Sequence, residues 1–420
     1  MTTVSPGTAT ETVDRRPLWN RDFVTVAISN LVSRAGTVVF DVVLAWWLVR
    51  ETGATVAAGY VLAASTLPIA LLSPLSGVLV DRWNKKWVLV VTDAVSAIAA
   101  GAVAVMAYQD VVHIPALVLC AAVLGACTSL FKPAVRSIVP ALVAKDRLTK
   151  ANALTTNFAE TTKVVGPLLG AALIAVPAVG IAGALLVNAA SFAVSALAQA
   201  FIGFRPAART ARDESVWDGL RAGLRYLGRR RLVRSLLLLC GLVNFFLVSF
   251  TILLPLYVSE VLHAGSGAYS AVLTAEALGG VAITVFFLAR RDVTPKPALL
   301  AWYIVAAGAA LALIPLVPSL AVLIALAFVQ GAVMGAFNTY FFTYVQQVVD
   351  PAYMGRVFAL VYMIAVAVMP VSYLVFGYLG SHIIGVAFVY VGIGTIVTAL
   401  PFLRMRDEDA ADRPEVRASS

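Results

Sequence analysis

Asn30, Arg34, Thr37 and Asp41 recur along one apolar stretch at spacings of four, three and four residues. On an α-helix those spacings put all four on one face. A charged group inside a membrane-length apolar segment is expensive and marks a functional site by default. Asp41 is the first candidate to carry a proton, because low-dielectric surroundings disfavour the charged carboxylate. Arg34 would either act on that carboxylate or attract an anionic cargo. Along the axis the two lie about 10 Å apart, so a direct bond is not required. The same stripe would serve equally as a polar contact between helices. Glu276 is the second proton candidate, alone among the charged residue types in the apolar stretch 268–289. Glu160 and Lys163, three apart, are placed to neutralise each other.

Cargo contacts would come from amides, hydroxyls and aromatic rings in similar stretches. The candidates are Asn30, Thr37, Asn244, Phe246, Gln330, Asn338 and Tyr340. Such surfaces suit large, partly apolar molecules, and the same rings are equally suited to packing. Enzyme signatures are absent. The chain has no Gly-Lys dipeptide, hence no phosphate-binding loop of that type, and neither His-Glu-x-x-His nor Gly-x-Ser-x-Gly. Cys120, Cys127 and Cys240 all fall in apolar runs without metal-ligand spacing. No enzyme activity, cofactor or metal is expected.

The elements that must position these groups follow from composition. Of 420 residues, 61% are hydrophobic and 13% charged, with a mean hydropathy of +0.91. A soluble chain carries about 25% charged residues. The imbalance excludes a disordered protein and an ordinary soluble enzyme. It points to helices of about 20 apolar residues crossing a bilayer. Apolar stretches lie near 23–48, 55–80, 87–108, 114–135, 152–176 and 179–203, then 232–258, 268–289, 298–317, 320–344, 356–379 and 383–403. The expected organisation is an N-terminal tail (1–22), a six-helix half (23–203), a linker (204–231), a second six-helix half (232–403) and a C-terminal tail (404–420).

Basic residues test this count independently. Cytoplasmic loops carry the excess of Lys and Arg. With the N-terminus inside, 28 of the 31 Lys and Arg residues fall in inner segments and one, Arg50, in an outer loop. Arg34 and Lys163 lie within spans. The net charge of +9 is therefore a topology signal rather than a nucleic-acid footprint. Both termini are expected in the cytoplasm. In the linker, Trp217, Leu220, Leu224 and Leu227 repeat at helical spacing, with Asp218, Arg221, Arg225 and Arg229 opposite. That pattern predicts an amphipathic helix on the inner membrane surface. The halves read as a loose repeat: Phe131-Lys-Pro-Ala134 matches Phe337-Asn-Thr-Tyr340, and Gly166-Pro167 matches Met369-Pro370. Two six-helix halves are a common form of secondary transporters.

The second loop reads Gly77-Val-Leu-Val-Asp81-Arg82-Trp-Asn84-Lys85-Lys86, with Asp93 seven residues on. Gly77 would admit a neighbouring helix, and Asp81 with its cationic neighbours would latch two halves together in one state and release them in another. Asp93 would serve the same latch. This stretch resembles the signature of the major facilitator superfamily, with Asn84 where the family has its second glycine. Asn tolerates the left-handed backbone expected of such a turn. Gly166-Pro167-Leu-Leu-Gly170 resembles the core of the superfamily's antiporter motif, without its upstream glycines. Asn20-Arg-Asp-Phe23, Ser33-Arg-Ala-Gly36, Phe131-Lys-Pro-Ala134, Pro140-Ala-Leu-Val143 and Trp217-Asp-Gly-Leu-Arg-Ala-Gly-Leu-Arg-Tyr226 narrow the resemblance to bacterial exporters of the enterobactin and macrolide type.

The resemblance implies an all-α membrane fold of twelve helices. It also implies export of an amphiphilic small molecule (a drug, antibiotic or siderophore-like metabolite) by proton antiport across the cytoplasmic membrane. The expected partners are that small molecule, protons and the lipid bilayer, with the protein a monomer and no nucleic acid bound. The readings left open are a proton-coupled importer on the same fold and a lipid flippase.

Overall fold

The computed structural model describes residues 17–144, 147–176, 178–204, 225–228, 230–289, 297–350 and 353–403. The N-terminal half holds α1 (Arg21–Thr52), α2 (Thr55–Arg82), α3 (Lys85–Tyr108), α4 (Ile114–Leu142), α5 (Leu148–Ala175) and α6 (Gly180–Ala200). The C-terminal half holds α7 (Arg231–Leu247), α8 (Ser249–Leu256), α9 (Ser266–Ala289), α10 (Pro297–Leu313), α11 (Leu320–Val348), α12 (Met354–Ala367) and α13 (Met369–Leu403). A π-helical turn, Tyr257–Val261, extends α8. The expected amphipathic linker helix lies mostly outside the described residues, as do both tails.

Ten of the described helices are long and apolar enough to cross a membrane. One of them is the 48-residue run Arg356–Leu403. As a straight helix it would measure about 72 Å, more than twice the ~30 Å hydrocarbon core. It breaks at Ile383, whose φ of −141° and ψ of 41° are not helical, so it supplies two crossings. With α5, which carries only the shorter apolar stretch Val165–Ile174, the architecture is compatible with twelve crossings.

Local signals set several helix ends. Asn20 caps α1 by accepting from the Phe23 N–H at 2.9 Å. Its Nδ2 donates to the Leu142 carbonyl at 2.8 Å, tying the start of α1 to the end of α4. Gly53 ends α1 at φ 61°, a left-handed position that glycine reaches without strain. Asn84 corrects one expectation. Its φ is −69° and ψ 111°, extended rather than left-handed, and its side chain caps α3 by accepting from the Lys86 N–H at 3.1 Å. The turn uses the capping oxygen of asparagine, not its tolerance of positive φ.

Three apolar cores show how the halves meet. One contains Phe23, Val80, Leu89, Ile138 and Ile202 of the N-terminal half, with Leu18 of the tail before it. A second contains Leu237, Ile304, Phe341, Leu360 and Phe402 of the C-terminal half, with Leu227 of the linker. Both sit where odd crossings begin and even crossings end, the end that carries the basic loops. The third joins the halves at the opposite end, with Trp46, Trp47 and Leu185 packed with Leu253, Tyr257, Tyr269 and Phe388. The bundle is thus sealed at one end and divided at the basic end.

Candidate functional site

The seal is built where α2 meets the first arm of α13. Thr55 Oγ1 donates to the Gly377 carbonyl at 2.6 Å and lies 3.1 Å from Ser381 Oγ. The Val56 N–H donates to the same Ser381 oxygen at 3.1 Å. A Cβ at Gly59 would meet the Tyr373 carbonyl, and one at Gly380 would meet Thr55 and Leu253. Backbones approach this closely only over small residues. Across the halves, Trp46 of α1 stacks on Tyr269 of α9 with ring centroids 5.7 Å apart.

On the basic-end side of that seal lies a cavity of about 1110 Å³. Both halves line it. From the N-terminal half come Thr37 and Asp41 of α1, Ser65 of α2, Lys132 of α4, Pro167 of α5 and Asn188 of α6. From the C-terminal half come Thr251, Tyr269, Glu276, Asn338 and Tyr373. The remaining wall is largely Val, Leu, Ile and Phe. Along α9 the lining runs from Tyr269 to Val285, nearly to the basic end of the helix. Asp41 is exposed to this interior although it stands at mid-span.

The halves contribute related but unequal walls. A Cβ at Gly125 of α4 would fall on the Ser65 carbonyl of α2, and one at Gly331 of α11 would fall on the Glu276 carbonyl of α9. The register that pairs Phe131-Lys132 with Phe337-Asn338 also pairs Gly125 with Gly331. Ser65 therefore corresponds to Glu276, and Lys132 to Asn338. Lys132 acts electrostatically on Asp41. No hydrogen bond or ion pair joins Glu276 to another described residue.

Asp41, Glu276, Thr37 and Asn338 thus face one cavity. The other groups singled out in the sequence lie elsewhere. Asn30 is buried and accepts from Arg34 Nε at 3.1 Å. Asn244 donates to the Cys240 carbonyl at 2.8 Å. Phe246 packs on Phe245 and Phe376. Tyr340 packs on Phe287 and Tyr303 in the C-terminal core. Gln330 is buried, with its side-chain oxygen unpartnered. Gly166 and Gly170 face Val38 and Val42 of α1, so the small residues beside Pro167 set the α1–α5 approach.

The loop motif lies at the basic end. Lys85 Nζ donates to the Ser137 carbonyl at 3.4 Å, within the N-terminal half. Lys86 lies 5.8 Å from the Trp87 ring centroid, and Arg82 is exposed. Gly77 and Asp81 belong to α2, but the surroundings of Gly77 and the side chain of Asp81, like those of Glu160 and Lys163 in α5, lie outside the described residues. Asp93 is fully inside the N-terminal half, accepting from Gln199 Nε2 at 2.9 Å and Ser33 Oγ at 3.3 Å.

Several cavity groups have no place among the sequence candidates, Lys132 and Asn188 among them. Lys132 lies inside α4, ten residues before its end at Leu142. Asn188 is fully buried, lines the cavity, and leaves both its amide oxygen and nitrogen unpartnered. A buried amide without partners is costly. Its one local signal is being the single amide in the Ala-rich run 182–198. Among the described residues, no group of three or more His, Cys, Asp or Glu side chains could hold a metal ion.

Residues 13–417 match the family model of transmembrane secretion effectors. The chain belongs to that family. It is a branch of the major facilitator superfamily, as the loop motif implied, and its members are multi-pass membrane transporters. Among curated relatives, the multidrug efflux pump Tap of Mycobacterium tuberculosis is 27% identical over 93% of this chain and 96% of its own length. Macrolide efflux protein A of Streptococcus pyogenes is 24% identical over 91% and 95%. Among solved structures, the peptide transporter POT superposes with a TM-score of 0.74 at 12% identity, covering 93% of this chain and 95% of its own. The nucleoside transporter NupG superposes with a TM-score of 0.72 at 17% identity, covering 91% and 99%. These likenesses carry the fold.

Proposed function

We propose that this transporter exports an amphiphilic small molecule across the cytoplasmic membrane by proton antiport, cycling the cavity between two openings. The observation that carries this reading is the cavity itself. Both halves line it, it is sealed at one end, and it holds two carboxyl groups from the interior of α1 and α9. The efflux relatives support the direction of transport, and the mostly apolar wall suits an amphiphile. The basic loops are taken as cytoplasmic by the positive-inside asymmetry, so both termini lie inside and the described conformation faces inward.

In the cycle, cargo enters from the cytoplasm between the separated inner cores. The halves rock, the seal around Thr55, Gly377 and Ser381 opens, and cargo leaves outward. A proton from outside reaches Asp41, with Glu276 as the second carboxyl, and favours cargo release. The cluster Gly77, Asp81, Arg82, Lys85, Lys86 and Asp93 steadies the closed inner face when the cavity opens outward. Gly166, Pro167 and Gly170 set the packing of α5 on α1 that this rocking needs. The protein works as a monomer in the lipid bilayer, with no enzymatic step.

The test is gradient-driven transport in proteoliposomes of known orientation. An outward-acidic gradient should drive inside-to-outside flux of a fluorescent amphiphile. Asp41→Asn should reduce that flux to background while the protein stays folded. Full gradient-driven flux in the Asp41→Asn, Glu276→Gln double variant would refute the mechanism. Flux only in the inward direction would refute export.

A further inference from the structure

Asp93 sits where the cavity does not reach. It is 2% exposed, on α3, and no described residue of α3 lines the cavity. Its Oδ2 accepts from Gln199 Nε2 of α6 at 2.9 Å and from Ser33 Oγ of α1 at 3.3 Å. Two more contacts set α1 on α6. Ser195 Oγ donates to the Ser29 carbonyl at 3.3 Å. A Cβ at Gly36 would meet the side chains of Asn188 and Ser191. Ser29, Ser33 and Gly36 are spaced four and three apart, so they form one face of α1. Thr37 and Asp41 follow Ser33 at steps of four, turned from it by about 40° and 80°. Thr37 Oγ1 also donates to the Ser33 carbonyl at 2.8 Å. The face that α3 and α6 hold thus sets the direction of the face that meets the cavity.

The C-terminal half is packed differently at the matching place. Its third crossing, α10, carries no charged residue. Where Gly36 meets two polar side chains, a Cβ at Gly394 of α13 would meet the Phe246 ring of α7. On α7, Asn244 bonds to its own helix. A half can therefore pack without a carboxyl there. Apolar contacts have no direction and tolerate small rotations of a helix. A buried polar group bonded from two sides is the better device for fixing one register.

We infer that Asp93 is a positioning residue for proton coupling. It fixes the rotation of α1, and so the place of Thr37 and Asp41 on the cavity wall, without meeting cargo or the moving proton. This rests on the exporter reading above and adds to the part Asp93 has in the inner latch.

Both donors meet the same oxygen, so an amide oxygen can take its place. Asp93→Asn keeps that acceptor and loses the charge, whereas Asp93→Leu keeps the bulk and loses the acceptor. Rotation of α1 is read as the rate at which a charged maleimide labels Thr37→Cys in the purified full-length protein lacking Cys120, Cys127 and Cys240. Thr251→Cys, on the cavity wall of the other half, is the control. Asp93→Leu should slow labelling at Thr37→Cys and lower gradient-driven flux, each about ten-fold or more, as a misplaced reacting group does. Labelling at Thr251→Cys should stay within about three-fold, which separates local rotation from loss of fold. Asp93→Asn should keep both labelling and flux within about three-fold of wild type. Ser33→Ala removes the α1 bond alone and should slow labelling at Thr37→Cys about three-fold or more. Unchanged labelling in Asp93→Leu, or in Ser33→Ala where the leucine variant does not fold, overturns the assignment. Loss of flux in Asp93→Asn with normal labelling also overturns it, because the charge and not the position would then matter. Labelling is read without transport, so the two readings fail separately. Slowed labelling with no gradient-driven flux of any probe in the wild type keeps the place of α1 and removes the exporter. Wild-type flux with labelling unchanged in Asp93→Leu keeps the exporter and removes the positioning role.

Discussion

The N-terminal wall of the cavity carries a carboxyl and an amine, Asp41 and Lys132, and at the place matching Lys132 the C-terminal wall carries the neutral amide of Asn338. At the crossing where the N-terminal half has Ser65, the C-terminal half has Glu276. The halves share a helix framework, down to the paired glycines 125 and 331, and differ in the charges mounted on it. Close helix crossings are set by small residues and backbone contact, which both halves must satisfy to fold. The polar groups mounted on those crossings are free to diverge, because they face the cavity rather than a neighbouring helix. Difference in charge, laid over likeness in packing, is what distinguishes the two walls of one chamber.

The comparison can be broken by moving or removing its charges. The largest effect expected is from Asp41→Asn, with gradient-driven flux at background and cargo binding kept within about three-fold, read by transport and dialysis on the same preparation. Joining the halves at the sealed end should be nearly as severe. In a background lacking Cys120, Cys127 and Cys240, a Thr55→Cys, Ser381→Cys pair should cross-link under oxidation and stop flux until reduced. The side-chain oxygens at those positions lie 3.1 Å apart. A smaller effect should come from the paired crossings. Gly125→Val and Gly331→Val each force a side chain onto a backbone carbonyl. Each should cost about 1–3 kcal/mol, as overpacking does, seen as a lower Tm. Gly385→Ala, with no atom near its would-be Cβ, should stay within about 0.5 kcal/mol. The smallest should be Asn84→Ala, which removes the α3 cap for about 1 kcal/mol and leaves cargo affinity unchanged.

Much of this framework was legible in the sequence, because a bilayer imposes long-range rules on local composition. The twelve apolar stretches follow the helices closely, down to the division between 379 and 383, where Ile383 breaks the last long run. The charges of the cavity were half legible. Asp41 and Glu276 stand out because an acid in an apolar helix is rare. Lys132 did not stand out, since a lysine near a basic loop reads as topology. Asn188 did not, since nothing local distinguishes a lining amide from one paired across helices. The aromatic and amide residues of the seventh and tenth spans, Asn244, Phe246, Gln330 and Tyr340, stand in the C-terminal half away from the cavity wall. Periodicity places a residue on a face, and only the packing of neighbouring helices decides whether that face meets space or another helix. Asn84 teaches the same at small scale: one residue type suits both a left-handed turn and a helix cap, and the chain uses the cap.

The decisive experiment records proton and cargo movement together in one set of proteoliposomes under an imposed pH gradient. The wild type should move a fluorescent amphiphile outward while protons enter, with both fluxes stopping together in Asp41→Asn. Cargo flux that still follows the gradient once both Asp41 and Glu276 are neutral would contradict a proton-coupled cycle run through this cavity.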